Sequence, residues 1–373
     1  MTLKKLAGPP TVSDVARLAK VSTATVSRTI NQPHKVRPEL GARVLEAVRT
    51  LGYIANAGAR ALMLNRSGTI GVVIPTLTNT IFAQSLAGFQ QRMGESSHQV
   101  IVACSEFNTE FESEQILNLV KRGVEAIALT GTSQEPWILR LLQQRELPYI
   151  HVVCRHAPLN GYTIGFENDK AMNLVVDHLL ELGHKYIGVL IGITKDNDRA
   201  AGRLRGVKEA LQKEGLHLPH NRIVESSYHM ASARQGLRAL LKEAPETTAV
   251  ICGNDLIAQG AILEAQHSGL DIPRDLSIIG FDDFEMSAHT LPGLTTIRTE
   301  AQSMWSKAAD HLIGQLNKDK SLARHVPTEV SLIVRDSTAA PRKLKLKSGE
   351  SPHSHPLPPT RTPERSLGNP HKA

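Results

Sequence analysis

The sequence predicts an all-α helix-turn-helix domain at the amino terminus, followed by two open lobes in which helices cover both faces of parallel, doubly wound sheets. Near the amino terminus, apolar residues recur at helical spacing in two short segments separated by a tight turn. From Gly68 onward, strand-like apolar runs alternate with helical stretches, which is typical of a parallel α/β sheet. This series occurs twice, with IGVV at residue 70 and IGVL at residue 187, so we predict two lobes of the same type.

The stretch TVSDVARLAKVSTATVSRTIN, residues 11–31, carries the signals of two helix starts. Thr11 stands at an N-cap position with the Asp14 carboxylate three residues later, and Ser22 can cap the second helix. The second helix then offers small and polar side chains that can approach base edges and phosphates. The residues expected at DNA are Thr11, Ser22, Thr23, Ala24, Thr25, Ser27, Arg28 and Asn31. The alternative is a surface helical hairpin that binds no DNA.

A third helix is predicted from Pro38 to Leu51, with Gly52 as its carboxyl-terminal stop, and it would close a three-helix domain. The surrounding sequence is basic. The first 66 residues hold 11 lysines and arginines against 3 aspartates and glutamates, whereas residues 67–340 hold 25 against 31. Positive charge concentrated on a helix-turn-helix is typical of a protein that binds nucleic acid.

Several motifs together resemble the lactose/purine repressor family of bacterial transcription regulators. Besides the helix-turn-helix they are LGYIANAGARALM, IGVVIP, GRLRG, CGNDLIAQGA, IIGFDDFEMS and LPGLTTI, and the resemblance covers residues 10–338. It implies a homodimer on double-stranded operator DNA, a body like that of periplasmic binding proteins, and a small-molecule effector. It also implies a hinge helix within 55–66 that inserts Leu62 into the minor groove, with Ala59 and Arg60 beside it. Leu62 could instead be a linker residue that packs on the body.

These patterns divide the chain into five parts. They are a flexible basic arm (1–10), the DNA-binding domain (11–54), a hinge helix and linker (55–66), a two-lobed effector-binding and dimerisation domain (67–338), and a disordered, basic, proline-rich tail (339–373). The strands are expected at 70–74, 100–103, 126–129, 149–153, 187–191, near 223, at 249–252, 276–281 and 330–335. The helices of the body are expected at 82–93, 111–122, 135–145, 199–214, 231–243, 256–268 and 297–316. The tail lacks the leucine heptads of a tetramerising helix, so a dimer is the expected assembly.

Ligands of open α/β sheets bind beyond the carboxyl ends of the strands, so two lobes predict a site in the cleft between them. The strand ends carry hydroxyl, amide, carboxylate and arginine groups with a few aromatic rings, which suits a small polyol or sugar. The effector contacts expected from these ends and from the resemblance are Thr78, Phe82, Arg199, Arg203, Tyr228, Asn254 and Asp282. Two of them have alternatives, because Asp282 could cap the following helix and Arg203 could pair with a core carboxylate.

The segments IPTLTNTIFAQSLAGF and TIGFEN look most like the gluconate-utilisation branch of the family, whose effectors are sugar acids. Arg199 and Arg203 could hold a carboxylate through charge-assisted hydrogen bonds. Cys154 stands near the position where the relatives carry an aspartate, which leaves a neutral sugar or a phosphorylated sugar acid as alternatives. A purine is less favoured because the set of cleft residues is richer in hydroxyl and amide groups than in aromatic rings.

Other functional classes lack their motifs. The chain has no G-x-S-x-G elbow, no phosphate-binding P-loop and no dinucleotide-binding G-x-G-x-x-G after a strand, so an enzyme is not expected. A sugar-binding protein or a sugar-active enzyme on the same two-lobed scaffold is the alternative. The basic helix-turn-helix and the absence of a signal peptide argue against both.

Neither a metal nor a cofactor is expected. No cysteine stands at zinc-finger spacing from the histidines. The histidines are therefore predicted to be solvated, among them His178, His184, His217 and His220. The cysteines lie in or beside apolar strand-like runs and are predicted to be reduced thiols: Cys104, Cys154 and Cys252. No apolar run reaches 18 residues, so we expect a cytoplasmic location and no contact with a membrane.

Overall fold

The computed structural model describes residues 8–54 and 66–342. They form two compact units, one of residues up to Thr69 together with 123–125, and one of the remaining residues. The predicted hinge residues Ala59, Arg60 and Leu62 and the chain from residue 343 lie outside the described residues. Each unit is described separately below.

The amino-terminal unit contains a helix-turn-helix whose helices start where the capping residues predict. Its helices are α1 (Val12–Ala19), α2 (Thr23–Asn31) and α3 (Pro38–Leu51). The Thr11 hydroxyl accepts from the Asp14 amide at 3.3 Å, and the Asp14 carboxylate accepts from the Thr11 amide at 3.0 Å, so the capping box is complete. Ser22 accepts from the Thr25 amide at 3.1 Å. The third helix ends at Gly52 in the left-handed conformation.

One apolar side chain from each helix closes the core of this unit: Val15, Val26 and Val44 are all fully buried. The guanidinium of Arg43 donates to the carbonyls of Ala19 and Lys20, which ties α3 to the turn between α1 and α2. The packing of the three valines and the hydrogen bonds of Arg43 therefore both fix the turn that positions α2.

The first lobe of the larger unit is an α/β sheet with one strand from late in the chain. Its elements are β1 (Thr69–Ile74), α4 (Thr80–Glu95), β2 (Gln99–Cys104), α5 (Thr109–Lys121), β3 (Ala126–Thr130), α6 (Pro136–Gln144), β4 (Tyr149–Val152), β5 (Tyr162–Gly165), α11 (Ala301–Leu316) and β11 (His325–Pro327). The strand order is β11-β5-β4-β3-β1-β2, and the neighbours from β11 to β1 pair in parallel.

The second lobe repeats this plan. Its elements are α7 (Asn168–Glu181), β6 (Ile187–Gly192), α8 (Asp198–Lys213), β7 (Ile223–Ser226), α9 (Met230–Glu243), β8 (Ala249–Cys252), α10 (Asp255–His267), β9 (Ser277–Asp282), β10 (Thr295–Thr299) and β12 (Val330–Ile333). The strand order is β12-β10-β9-β8-β6-β7, with β12 antiparallel to β10 and the other neighbours parallel. The chain crosses between the lobes three times, after β5, β10 and β11.

One predicted helix is wrong at its start. The sequence predicts a helix over 297–316 after a turn, but Thr295–Thr299 form strand β10, and α11 begins at Ala301. The β-branched side chains of this segment are buried, and its backbone pairs with β9 on one side and β12 on the other. Two further strands, β5 and β11, are not among those predicted. The last strand ends at Ile333, two residues before the predicted end.

His184 is also a correction, because it is buried rather than solvated. Its Nδ1 lies 2.9 Å from the Thr248 hydroxyl and its Nε2 lies 2.8 Å from the Ala339 carbonyl. Burial lowers the pKa of this imidazole. Ala339, the first residue assigned to the tail, also bonds through its amide to Ser277. Ordered contacts therefore continue past that boundary.

The three cysteines are free thiols, as predicted. Over residues 8–54 and 66–342, no helix is long and apolar enough to cross a membrane. Within the same ranges, no group of three or more histidine, cysteine, aspartate or glutamate residues is arranged to hold a metal ion.

A glycine permits the close packing of α7 against α8. A Cβ atom at Gly206 would lie 2.2 Å from the Asp169 carbonyl oxygen, so we expect Gly206→Ala to destabilise the protein by about 1–3 kcal/mol. Gly94 in α4 has no atom within 4 Å of its Cβ position and is the matched control. Gly94→Ala should be neutral or slightly stabilising, by up to about 1 kcal/mol. Urea denaturation of both variants measures the difference, and equal stabilities would contradict the packing role of Gly206.

Candidate functional site

The cleft between the lobes of the larger unit contains a cavity of about 50 Å³, which we call the inner cavity. Side chains from both lobes line it, and they include most of the residues predicted from the strand ends. The predicted residues that line it are Phe82, Arg199, Arg203, Tyr228, Asn254 and Asp282. The two lobes therefore meet where the carboxyl ends of their strands bring polar groups together.

Arg203, in the second turn of α8, is the buried cation of this cavity. Its Nε donates to the Asn168 side-chain oxygen at 3.0 Å, and its Nη1 donates to the Gly253 carbonyl at 2.6 Å. Its Nη2 lies 3.7 Å from Asp282, and the guanidinium lies over the Phe281 ring at 3.6 Å. A guanidinium held by fixed neutral acceptors keeps further N–H groups for an anion, while its stacking on the ring fixes its plane.

Asp282 lines the inner cavity beside Arg203. Burial raises the pKa of this carboxyl to about 7, although the Arg203 guanidinium opposes the shift. Its backbone has a φ of 113°, an unusual conformation for a residue other than glycine and one that is found at functional sites. Asp282 does not cap the following short helix, whose N-cap is Phe284, but the pairing of Arg203 with a carboxylate is present.

Asn254 and Tyr228 supply neutral polar groups. Asn254 caps α10 by accepting from the Ile257 amide at 2.9 Å, and its buried Nδ2 has no hydrogen-bond partner among the described residues. This unpaired donor belongs to a residue that lines the cavity. The Tyr228 hydroxyl accepts from Asn197 at 3.0 Å, and its ring stacks on Phe107 with centroids 4.7 Å apart. Burial raises the pKa of Tyr228, so its hydroxyl stays protonated at neutral pH.

Arg199 has a different position from Arg203. It pairs with Asp198 at 2.8 Å and donates to the Thr130 carbonyl of the first lobe at 3.1 Å. Asp198 in turn accepts from Thr132 and Ser133, so this pair fastens the second lobe to the β3–α6 loop of the first. Arg199 therefore lines the cavity while it holds the lobes together.

Thr78 is the predicted contact that does not line the inner cavity. Its hydroxyl lies 3.0 Å from that of Thr76, and it lines a second, outer cavity. Asn79, the next residue, lines the inner cavity instead. Cys154 is buried, which raises the pKa of its thiol, but its neighbour Val153 lines the cavity.

Two residues that shape the site, Phe107 and Asn168, are not among those predicted from the sequence. Phe107 follows the carboxyl end of β2 and lines the inner cavity. The rule that ligands bind beyond the carboxyl ends of strands also applies to β2, but no residue after β2 is among the predicted effector contacts. Asn168 orients Arg203 and lies at the start of α7, a position that the sequence does not identify as a helix start.

The helix-turn-helix residues predicted at DNA lie in the amino-terminal unit, and none of them is buried. Thr11, Ser22, Thr23, Ala24, Arg28 and Asn31 are exposed, and Thr25 and Ser27 are partly exposed. Thr23 and Ala24 occupy the first turn of α2, and Arg28 follows on the next turn. The first turn of the second helix is the part that contacts base edges in this type of domain.

The chain matches two family models. The lacI family of bacterial regulatory proteins matches residues 11–56, and the periplasmic binding protein-like domain matches residues 176–338. The ribose operon repressor of Haemophilus influenzae is 31% identical over 88% of this chain and 98% of its own length. Catabolite control protein A of Priestia megaterium is 30% identical over 83% and 93%. The regulator GntR of Escherichia coli is 29% identical over 82% and 92%.

Solved structures agree with these matches. The lac repressor dimer bound to operator and the anti-inducer ONPF is 27% identical and superposes with a TM-score of 0.78, covering 89% of this chain and all of that one. The regulator GntR from Chromobacterium violaceum is 26% identical with a TM-score of 0.68, covering 72% and 99%. The chain belongs to the lacI family of bacterial regulatory proteins.

Proposed function

We propose that this regulator represses genes of carbohydrate utilisation and that a sugar acid of the gluconate type is its effector. The observation that carries the proposal is the buried Arg203, which lines the inner cavity beside the unpaired Asn254 amide donor. An arginine fixed on its far side by neutral acceptors suits an incoming carboxylate. Asp282, Asn254 and Tyr228 then suit the hydroxyls of a polyol chain.

One relative is named as a ribose operon repressor, which supports a carbohydrate effector. A relative and a solved structure share the name GntR. The polar side chains that line the inner cavity can also form hydrogen bonds with the hydroxyls of a polyol.

Effector binding would act on DNA through the arrangement of the two lobes. Arg199 and Asp198 already join the second lobe to the loop after β3, so a ligand that pairs with Arg199 changes this junction. A ligand that binds one lobe arrangement more tightly than another shifts the population between them. We place the headpiece in the major groove through α2, and Ala59, Arg60 and Leu62 at the minor groove.

A homodimer completes this proposal, since two headpieces read the two half-sites of a near-palindrome.

Calorimetric titration tests the effector class. Gluconate should bind at least about tenfold more tightly than glucitol, a neutral polyol of the same length, because only the acid forms charge-assisted hydrogen bonds with the arginines. Titration of ribose alongside checks the sugar suggested by the other relative. Equal binding of gluconate and glucitol would contradict a carboxylate-binding site, and tight binding of ribose alone would replace the sugar acid with a neutral sugar.

The affinity for a sugar acid should depend on pH. Asp282 has a pKa raised to about 7, so it loses its negative charge as the pH falls from about 8 to about 6. An anionic effector then meets less repulsion, and its affinity should rise by up to about tenfold per pH unit across this window. Titrations in buffers of different ionisation enthalpy should show proton uptake on binding. Asp282→Asn should remove both effects, and their persistence in this variant would assign them to another group.

A further inference from the structure

A second cavity, of about 350 Å³, adjoins the inner one, and we call it the outer cavity. Ligand pockets for small molecules measure roughly 300–1,000 Å³, so the outer cavity lies in this range and the inner cavity of about 50 Å³ does not. A six-carbon acid bound at Arg203 therefore needs space beyond the inner cavity.

The partition between the cavities is one aromatic pair. Phe107 and Tyr228 line both cavities, and their rings stack with an interplanar angle of 21°. Tyr228 is fixed, because Asn197 donates to its hydroxyl and its ring end lies against Gly192, where a Cβ atom would be 2.2 Å from the hydroxyl oxygen. Phe107 is half-buried in a loop and has a φ of 57°. Phe107 is thus the member of the pair that can turn aside.

The outer cavity has the lining of a site for an anionic group. Lys195 lines it and has no ion-pair partner in the part of the chain that the structure describes. The hydroxyl-bearing residues Thr76, Thr78 and Ser227 and the imidazole of His229 line it as well. Ammonium, hydroxyl and imidazole groups together are typical donors to phosphoryl oxygens. The carboxylate of Glu106 lines the same cavity and opposes an anion there.

We propose that the outer cavity is a second effector subsite, which binds the terminal phosphoryl group of a phosphorylated sugar acid through Lys195. The inference rests on the proposed function, in which Arg203 binds the carboxylate in the inner cavity. The carbon chain passes the Phe107–Tyr228 partition, with Phe107 displaced. Lys195 attracts the phosphoryl dianion and Glu106 repels it, so these two side chains set the preference between phosphorylated and unphosphorylated acids.

The test compares 6-phosphogluconate with gluconate by calorimetric titration of the full-length protein. The phosphorylated acid should bind about tenfold more tightly, since a hydrogen bond to a charged group contributes at this scale. Lys195→Gln should abolish the advantage and leave the affinity for gluconate unchanged. Glu106→Gln should enlarge the advantage. Lys208→Gln removes the same charge from an exposed position on α8 and should preserve the wild-type ratio.

The outcomes separate this inference from the proposed function. If gluconate binds and needs Arg203, but 6-phosphogluconate binds no better or keeps its advantage in Lys195→Gln, the outer subsite is wrong and the proposed effector class stands. If neither acid binds, or both bind without Arg203, the proposed function itself fails. Loss of the advantage in both Lys195→Gln and Lys208→Gln would indicate a general charge effect and would also overturn the subsite.

Discussion

Replacing Arg203 with methionine should lower the affinity for a sugar-acid effector by about 100-fold or more. Methionine keeps much of the length of the side chain but removes the guanidinium that holds Gly253 and Asn168 and lies 3.7 Å from Asp282. The effector carboxylate then loses its charge-assisted partner in a buried site. Calorimetric titration measures the affinity, and an operator-binding assay should show that the sugar acid no longer changes DNA binding.

The neighbouring Arg205 provides the control for this prediction. It is exposed on the same helix, pairs with Asp169 at 2.9 Å and does not line the inner cavity, so Arg205→Met should leave effector affinity unchanged. Because breaking a buried ion pair costs about 3–5 kcal/mol, Arg203→Met alone could reduce folding. The double variant Arg203→Met/Asp282→Asn avoids a lone buried carboxyl, and asparagine tolerates the positive φ of this position. If this variant folds and binds gluconate like the wild type, Arg203 is not the carboxylate partner.

The headpiece is the part of the fold that local sequence signals determine. Thr11, Asp14, Ser22 and Gly52 act within one turn of the helix ends that they define, so a reader of the sequence can identify them without any tertiary contact. Strand β10 shows the opposite case. Its TTIRT sequence follows a proline-glycine turn, and nothing within it indicates that β9 and β12, distant in sequence, will pair with it.

The residues of the candidate site can be predicted from the sequence where the ends of the strands can be predicted. The rule that ligands lie at the carboxyl ends of parallel strands identifies Tyr228, Asn254 and Asp282 from the sequence alone, and all three line the inner cavity. The rule gives a strand end and not a side-chain direction, so it does not decide between Thr78 and Asn79. The length of the pocket and its partition by two aromatic rings depend on contacts between the lobes, which no local pattern contains.

Changing Thr23 and Ala24 together should change which operator half-site the protein prefers. Both side chains are exposed on the first turn of α2, the position from which this type of helix reads base edges in the major groove. Each altered base contact should change discrimination by about 1–3 kcal/mol at one or two positions of the half-site. Selection from randomised DNA measures the preference of the wild type and of the double variant, with Thr50→Ala on α3 as the control for an exposed threonine.

Arg28 should act differently, because a contact to phosphate carries no sequence information. Arg28→Ala should weaken binding to operator and to random DNA by a similar factor and reduce the slope of log affinity against log salt by about one. Arg49→Ala removes the same charge from the last turn of α3 and should leave that slope unchanged, since we propose that α2 lies in the groove and α3 does not. If the double variant of Thr23 and Ala24 keeps the wild-type site preference, and if the two arginine variants have equal slopes, the prediction fails. The residues predicted to contact bases and phosphates would then not face the DNA.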